Sequence, residues 1–487
     1  MNRQLRWSDH ILLNIYWLGL NVASGTITPV LLPYLVALFV PPEQKNTYLG
    51  LVRVIGLAVA MMVQPLAGMF SDRSTSRWGR RRPFIFAGTI LDLVFLAIIA
   101  VSPLFIGSAL DGFFIPTLGI TTALFVLIVG IVLLQTSSNI AHGALQGLIP
   151  DLVPEDQRGR SSGVKAVMEL LPVFLVIVTG PLVDRGLVGL VAAFVGLALL
   201  ATMLATVLGV REEPLREKPT EPIGERVWRI LALTAIFVVV TRLALWLVNA
   251  AGAATTAAAL GTRVALGILV GLIAMAGSIF LGVYFGAWVG IGREAPRQTS
   301  FIWWVINRLM FLAAVGSVQG FAQYFLRDVL RIPNPATMTT VLLAVVAVFL
   351  LPAALVGGYL ADRIGRKRLV ALAGLVAGAG TVLLLFSNNI PMVLISGCII
   401  GLGTGIFYAS NWALGTDLAP SAEAGRYLGI SNLAGAGAGI VGAGIGGPMA
   451  DFFNTLRPGL GYLVIFAVYA ALFFLSILAL TRVRSGR

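Results

Sequence analysis

The sequence predicts an all-α polytopic membrane protein of about fourteen spans, and three observations predict it. Of its 487 residues, 58% are hydrophobic, and the mean hydropathy is +0.93. Apolar runs of about 20 residues, enough to cross a bilayer core of about 30 Å, recur from end to end. The runs do not alternate polar and apolar as barrel strands do, and backbone in lipid must satisfy its own hydrogen bonds, so the runs are helices.

The formal charge of +13 raises the question of a nucleic-acid partner. If the N-terminus is cytoplasmic and each run crosses once, most of the 34 lysines and arginines fall on the cytoplasmic side. Only Arg53, Arg242 and Arg308 fall within spans. This is the positive-inside distribution, so no nucleic acid is expected as a partner, and both termini are expected at the cytoplasmic face of the plasma (inner) membrane. The one cysteine, Cys398, lies in an apolar run and excludes an internal disulfide or a cysteine-based metal site. No P-loop, catalytic constellation or metal-ligand spacing occurs, so no cofactor is expected and an enzyme is not.

The opening MNRQLRWSDH leads into the first run without a small-residue cleavage site, and is read as a retained first helix. Helices are expected near 11–40, 46–70, 83–107, 116–148, 162–183 and 187–210, which form a first six-helix bundle over 1–210. The segment 211–228 is charged and proline-bearing, and is read as a cytoplasmic linker. Two inserted helices, near 229–251 and 263–290, occupy 229–300. A second bundle, 301–487, holds six more near 301–326, 338–361, 369–388, 391–416, 427–450 and 460–481.

An internal repeat ties the bundles together. Gly68, Asp72 and Arg73 close the second helix as G-x-x-x-D-R, and Gly358, Asp362 and Arg363 close the second helix of the later six in the same way. Asp151, Pro154, Gly159, Arg160 and Gly163 match Asp417, Pro420, Gly425, Arg426 and Gly429 at identical spacing. GPLVD from Gly180 to Asp184 answers GPMAD from Gly447 to Asp451. The chain is therefore two bundles in parallel pseudo-repeat with two helices between them, a secondary-transporter plan.

The block GYLADRIGRKR, Gly358 to Arg368 with Gly365 and Arg366 at its centre, resembles the loop signature of the major facilitator superfamily. The first copy has four extra residues between Asp72-Arg73 and Gly79-Arg80. This longer form, SDRSTSRWGRRRPFI, resembles the sucrose-transporter family and its neighbours among the glycoside–pentoside–hexuronide cation symporters. The resemblance implies the major facilitator fold, a small-molecule substrate, a coupling cation, H+ or Na+, and a monomer working in a lipid bilayer. It also implies that the loop residues, with Asp151, Arg160, Asp417 and Arg426, latch one of the alternating-access states. The arginines of the loop, Arg73, Arg77, Arg80, Arg81 and Arg82, have a second reading as topology determinants only.

Ionisable or polar groups in spans are costly, so each is a functional candidate. In QTSSNIAHGALQG, Asn139 lies one turn before His142 and Gln146 one turn after it on the same face, and these three, with Gln135, are expected to line the substrate cavity. Aligned with the resembled family through Asn139, Gly143 and Asp151, Gln135 falls where that family carries its proton-binding aspartate, and glutamine does not titrate. Glu169 and Asp92, each about 10 Å into a helix from the loop side, are the carboxylates that remain as coupling candidates, with His142 a third. Each carboxylate has a bland reading as a hydrated group near the interface. From the first helices of the halves, Asn21, Asn14 and Trp17, and Asn307, Arg308, Gln319 and Gln323, are expected to line the substrate cavity. In the pseudo-repeat His142 corresponds to Tyr408, followed by Asn411 and Trp412, and these three are expected in the substrate cavity as well; aromatic faces beside amides suit a sugar ring. Packing and interface anchoring are the ordinary alternatives for these aromatics.

These readings converge on a secondary transporter of a small polar solute, a glycoside coupled to a cation. Two rivals remain open. Gly180-Pro181 and Gly447-Pro448 resemble part of the Gly-Pro motif of superfamily antiporters, which fits efflux of an amphipathic compound by proton antiport. The missing carboxylate at Gln135 fits a non-transporting assembly factor or receptor on the same fold.

Overall fold

The computed structural model describes residues 4–215, 224–418 and 424–484, without the side chains of 293, 294, 296, 362, 424–430 and 432–434. Every regular element among the described residues is helical. The long helices are α1 (Trp7–Phe39), α2 (Lys45–Ser71), α3 (Arg82–Val101), α4 (Thr122–Leu145), α5 (Arg158–Leu170), α6 (Val188–Gly209), α7 (Gly224–Ala254), α8 (Leu260–Ile291), α9 (Thr299–Asp328), α10 (Pro335–Ile364), α11 (Arg366–Leu385), α12 (Ile390–Leu418), α13 (Ala424–Leu456) and α14 (Leu460–Thr481). Thirteen spans among the described residues are long and apolar enough to cross a membrane. They do not include α13, which adds a further 33-residue helix.

Three departures from the expected boundaries have local causes. The fourth helix starts at Thr122, not near 116, because Gly119 at φ +70° ends a separate short helix, Asp111–Leu118. Thr121 then caps α4, its hydroxyl accepting from the Leu124 amide at 3.3 Å. The fifth run, expected over 162–183, is broken into α5, Pro172–Val176 and Thr179–Asp184. Pro172 has no N–H to donate and Gly180-Pro181 repeats the insult. Within α1, a π-turn at Ile27–Leu31 falls where Pro29 and Pro33 remove two donors.

The helices group into two units, residues 1–40 with 59–227, and 41–58 with 228–487. In the first, α3 packs on α4 and α6, and α1 on α5 and α6. In the second, α10 and α11 both pack on α12, and α9, α13 and α14 pack together. The inserted α8 lies against α13 and α14, and Phe237 of α7 sits close to Gly282 and Gly437. Arg242 is exposed on α7 among the exposed Leu243, Trp246 and Leu247.

The first turn of α2 belongs to the second unit and is capped there by Asp451 of the GPMAD segment. One Asp451 oxygen accepts from the Thr47 amide at 2.7 Å, the other from the Asn46 side chain at 2.7 Å. A carboxylate on unsatisfied N–H groups at the positive end of a helix is a favourable placement. Beside it Lys45 pairs with Asp328 at 2.5 Å, and Tyr462 donates to the same carboxylate.

Candidate functional site

In the first unit the loop after α2 is organised by Arg81, which is 5% exposed. Its guanidinium pairs with Asp72, donates to Asp151 Oδ2 at 2.9 Å and to Ser71 Oγ at 2.6 Å, and reaches the Gly68 carbonyl at 3.3 Å. The fork of five fixed N–H donors is what lets one side chain join the end of α2 to the short helix Leu148–Leu152 that follows α4. Arg80 adds a second pair to Asp151 at 2.7 Å. Glu212 accepts from the Arg81 amide at 3.1 Å and the Arg82 amide at 2.9 Å. Burial pushes the Glu212 carboxyl up from its ordinary value, against the pull of those two amides. Gly79, at φ +104°, packs directly on Glu212. Arg73 is half-buried and Arg160 exposed.

The second unit keeps part of this arrangement. Arg366, the repeat counterpart of Arg80, pairs with Asp417, the counterpart of Asp151, and also reaches the Ala413 carbonyl at 3.1 Å. Lys367 stands where Arg81 stands and donates to the Val483 carbonyl at 2.7 Å. Gly365 has φ +98°, and Arg363 lies 4.5 Å over the Tyr359 ring; Gly358 carries no close neighbour at its Cα face. The side chains of Asp362 and Arg426 lie outside the described residues.

Among the intramembrane candidates of the first unit, four come together. Trp17 of α1 meets the His142 ring of α4 edge-on, with centroids 4.9 Å apart. Lys165 of α5 sits 4.1 Å over the Trp17 face and 3.3 Å from Glu169. Gln146 lies 3.3 Å from His142 Nε2 and is exposed. Asn21 is half-buried and donates to the Trp17 carbonyl of its own helix at 2.8 Å. Asn139 is drawn away from His142: its amide donates to the backbone and side-chain oxygens of Gln135, at 2.7 and 3.1 Å. Glu169 is thus an ion-pair partner on one helix face, at the i,i+4 spacing.

Asp92 is corrected more strongly. A hydrated position near the interface was one reading of it, yet it is fully buried, against Ser137 of α4.

In the second unit Arg308 reaches Asn411 Oδ1 at 3.2 Å and lies 5.2 Å over Trp412 and 5.9 Å over Trp304. Asn411 in turn donates to Asn307 at 3.0 Å, and Asn307 to the Ser476 carbonyl at 2.9 Å. Asn307, Asn411 and Gln323 were expected to face a cavity, but all three are buried, and the first two spend their amides holding α9, α12 and α14 together. Gln319, Tyr408 and Trp412 are exposed.

Lys165, Ser137, Trp304 and Glu212 were not singled out in the sequence. Lys165 precedes Glu169, and Trp304 precedes Arg308, by one helical turn, a spacing that was legible. Ser137 is visible only by setting α4 on α12, where Gly403 takes its place. Glu212 carries no signal, being one acid among several in a charged segment.

A chain of hydrophobic spans in two repeated bundles, with charged loops at the repeat positions and aromatic–cation clusters inside, defines a membrane transporter fold rather than an enzyme. Residues 305–487 match the description Major Facilitator Superfamily, and residues 17–270 match MFS/sugar transport protein. The chain belongs to the MFS/sugar transport protein family. A stretch of 88 residues is 38% identical to the minor myo-inositol transporter of Bacillus subtilis (strain 168), covering 18% of this chain and 20% of that protein. Another of 138 residues is 30% identical to a sucrose transport protein of Arabidopsis thaliana, covering 28% of this chain and 23% of that one. The matches therefore span about a fifth to a quarter of the length of these relatives. Among solved structures, a D-xylose-proton symporter aligns over 97% of both chains with a TM-score of 0.63 at 16% identity. A peptide transporter of the POT family aligns over 98% of this chain and 95% of its own with 0.65 at 16%. At such identity the likeness is one of fold.

Proposed function

We propose that the protein is a secondary active transporter that moves a glycoside or disaccharide, coupled to a cation, by alternating access in the plasma membrane, with both termini cytoplasmic. The observation that carries this is a chemistry repeated in both units at matching positions of α4 and α12. His142 and Gln146 stand beside Trp17 and Lys165; Tyr408 and Trp412 stand beside Arg308. A sugar ring has an apolar C–H face for a tryptophan and a rim of hydroxyls for amides, imidazole and held cations. Lys165, tethered by Glu169, covers the Trp17 face in this structure and would yield it to an arriving ring, keeping its charge for the hydroxyl rim. The relatives named as sucrose and myo-inositol transporters support the same substrate chemistry.

Uptake of labelled sucrose, maltose and myo-inositol into proteoliposomes, with a proton gradient, a sodium gradient or none, tests this reading. Accumulation of at least one of them is expected, with Trp17→Ala lowering it about tenfold, since stacking and cation–π contacts together contribute about 1–2 kcal/mol. If no sugar or polyol moves in any gradient and none competes for binding, the reading is lost.

A further inference from the structure

The crossing of α3 and α4 holds a buried acid that the sugar cluster does not use. Gly88 brings the two backbones together, for a Cβ there would lie 2.7 Å from the Ser137 carbonyl oxygen. One turn further along α3, Asp92 is fully buried and bonds Ser137 Oγ through Oδ1. Its Oδ2 is buried with no hydrogen-bond partner. A carboxylate is an acceptor with room for about four hydrogen bonds, and an uncompensated charge in a low-dielectric interior costs several kcal/mol.

Counting hydrogens sharpens the point. The Ser137 hydroxyl has one proton, yet three acceptors surround it: Asp92 Oδ1, and the Leu133 and Leu134 carbonyls, each at 3.1 Å. A proton on Asp92 resolves the surplus. Asp92 then donates to Ser137 Oγ, and Ser137 donates to a backbone carbonyl of its own helix. Thr89, one turn before Asp92, takes up the Tyr16 hydroxyl of α1 at 2.5 Å and donates to the Ile85 carbonyl at 2.7 Å, so that neighbouring pair is satisfied without Asp92.

No cation compensates the acid from the packed helices. Tyr16 is the titratable side chain that α1 brings to this face. Throughout its length α6 carries no titratable residue, and α4 carries only His142, more than a turn beyond Ser137. On α3 itself the sole other charge is Arg82, at the opposite end of the first turns. The pseudo-repeat adds an independent observation. In the equivalent crossing of α11 and α12, Gly403 stands at the position of Ser137 and packs on Ala373 and Ala377. Small apolar residues suffice to pack this crossing, so Asp92 and Ser137 are not there for packing.

We propose that Asp92, paired with Ser137, is the protonation site of this transporter: the coupling cation is H+, and it is carried on the Asp92 carboxyl. Binding places one proton on Asp92 and leaves the acid neutral within the helix crossing. Release passes that proton to water admitted when the crossing loosens, leaves one negative charge on Asp92, and turns the Ser137 hydroxyl to donate to it. Glu169, already neutralised by Lys165, holds the sugar-facing cation and does not carry the proton.

The inference rests on the transport reading only for its coupling step, and the test separates the two. Infrared difference spectra of the full-length protein, in the presence of no sugar, report protonated carboxyls directly. A carboxylic acid C=O band at neutral pH that is absent in Asp92→Asn and shifted in Ser137→Ala is expected; an unchanged spectrum in Asp92→Asn overturns the proposal, whatever the substrate. In proteoliposomes, Asp92→Asn is expected to keep sugar exchange within about twofold of the parent and to lose proton-driven accumulation at least tenfold. Accumulation at the parent level overturns it. If Asp92→Asn fails to fold, Ser137→Ala carries both measurements, with a shifted band and an altered pH profile of accumulation expected and parental values of both counting against the site. A parent that moves no sugar defeats the transport reading, while the infrared result still decides Asp92.

Discussion

Two helix crossings at matching places in the repeat, α3 on α4 and α11 on α12, have the same backbone solution and different chemistry. Both bring helices into near contact through a glycine, Gly88 in one and Gly403 in the other, where a Cβ would fall 2.7 Å and 2.6 Å from backbone atoms of the partner helix. The second crossing fills the remaining space with Ala373 and Ala377, the first with an acid and a hydroxyl. In lipid, where apolar burial drives little helix association, such close approach supplies the packing energy. Stability is thus shared between the halves, and the polar pair is an addition to one of them.

The largest effect follows from removing what is shared. Gly88→Leu and Gly403→Leu force a side chain into space occupied by backbone, and each is expected to cost about 3 kcal/mol or more, the upper end for overpacking. Thermal unfolding in detergent measures this. Equal losses at the two sites sustain the equivalence of the crossings; a tolerated leucine at either breaks it.

A smaller contrast separates the two loops. Arg81 joins Asp72, Asp151, Ser71 and the Gly68 carbonyl, whereas its counterpart Lys367 makes one bond among the described residues, to the Val483 carbonyl. Arg81→Ala leaves Asp151 beside Arg80 alone and takes one donor from the Ser71 hydroxyl, which keeps its own bond to the Gly68 carbonyl at 2.8 Å; because Asp72 is half exposed, the loss is set at about 2–3 kcal/mol, below that for a fully buried pair. Lys367→Ala is expected to cost about 1 kcal/mol, the worth of a single hydrogen bond. Unfolding of both variants side by side decides whether the extended first loop is the stronger clasp.

How far these features were legible follows from their range in the chain. Spans and the G-x-x-x-D-R loops are local patterns, hydrophobic length places most of the spans, and the repeat follows from comparing the two copies of the loop motif. The breaks at Gly119, Pro172 and Pro29 carried signals in single residues whose effect depends on register. The burial of Asp92 was not legible. It lies near the middle of α3, and spacing along the chain does not say which face it presents; the Gly88 contact turns that face inward. For the same reason Asn307 and Asn411 read as cavity amides, since spacing gives a helix face but not which neighbour covers it.

The smallest effect sharpens the loop comparison through pH. Glu212 caps the Arg81 and Arg82 amides, and the second unit's loop has no acid described in that role. Burial raises the Glu212 carboxyl above its unfolded value of about 4.3, so the folded state favours the protonated form. The sign follows from linkage: the contribution is fully present below about pH 4.3 and is lost as pH rises through the raised folded value. Glu212→Gln keeps an acceptor for the two amides and has no proton to lose. The parent's stability should therefore fall relative to Glu212→Gln on going from about pH 4 toward neutrality, then run parallel to it; the change is small because the carboxylate is partly solvated and screened. Unfolding midpoints of the two proteins across that range check it. A parent that instead gains on the variant as pH rises would mean that the amides and the Arg81 charge outweigh burial, making this loop an anion clasp rather than a buried turn.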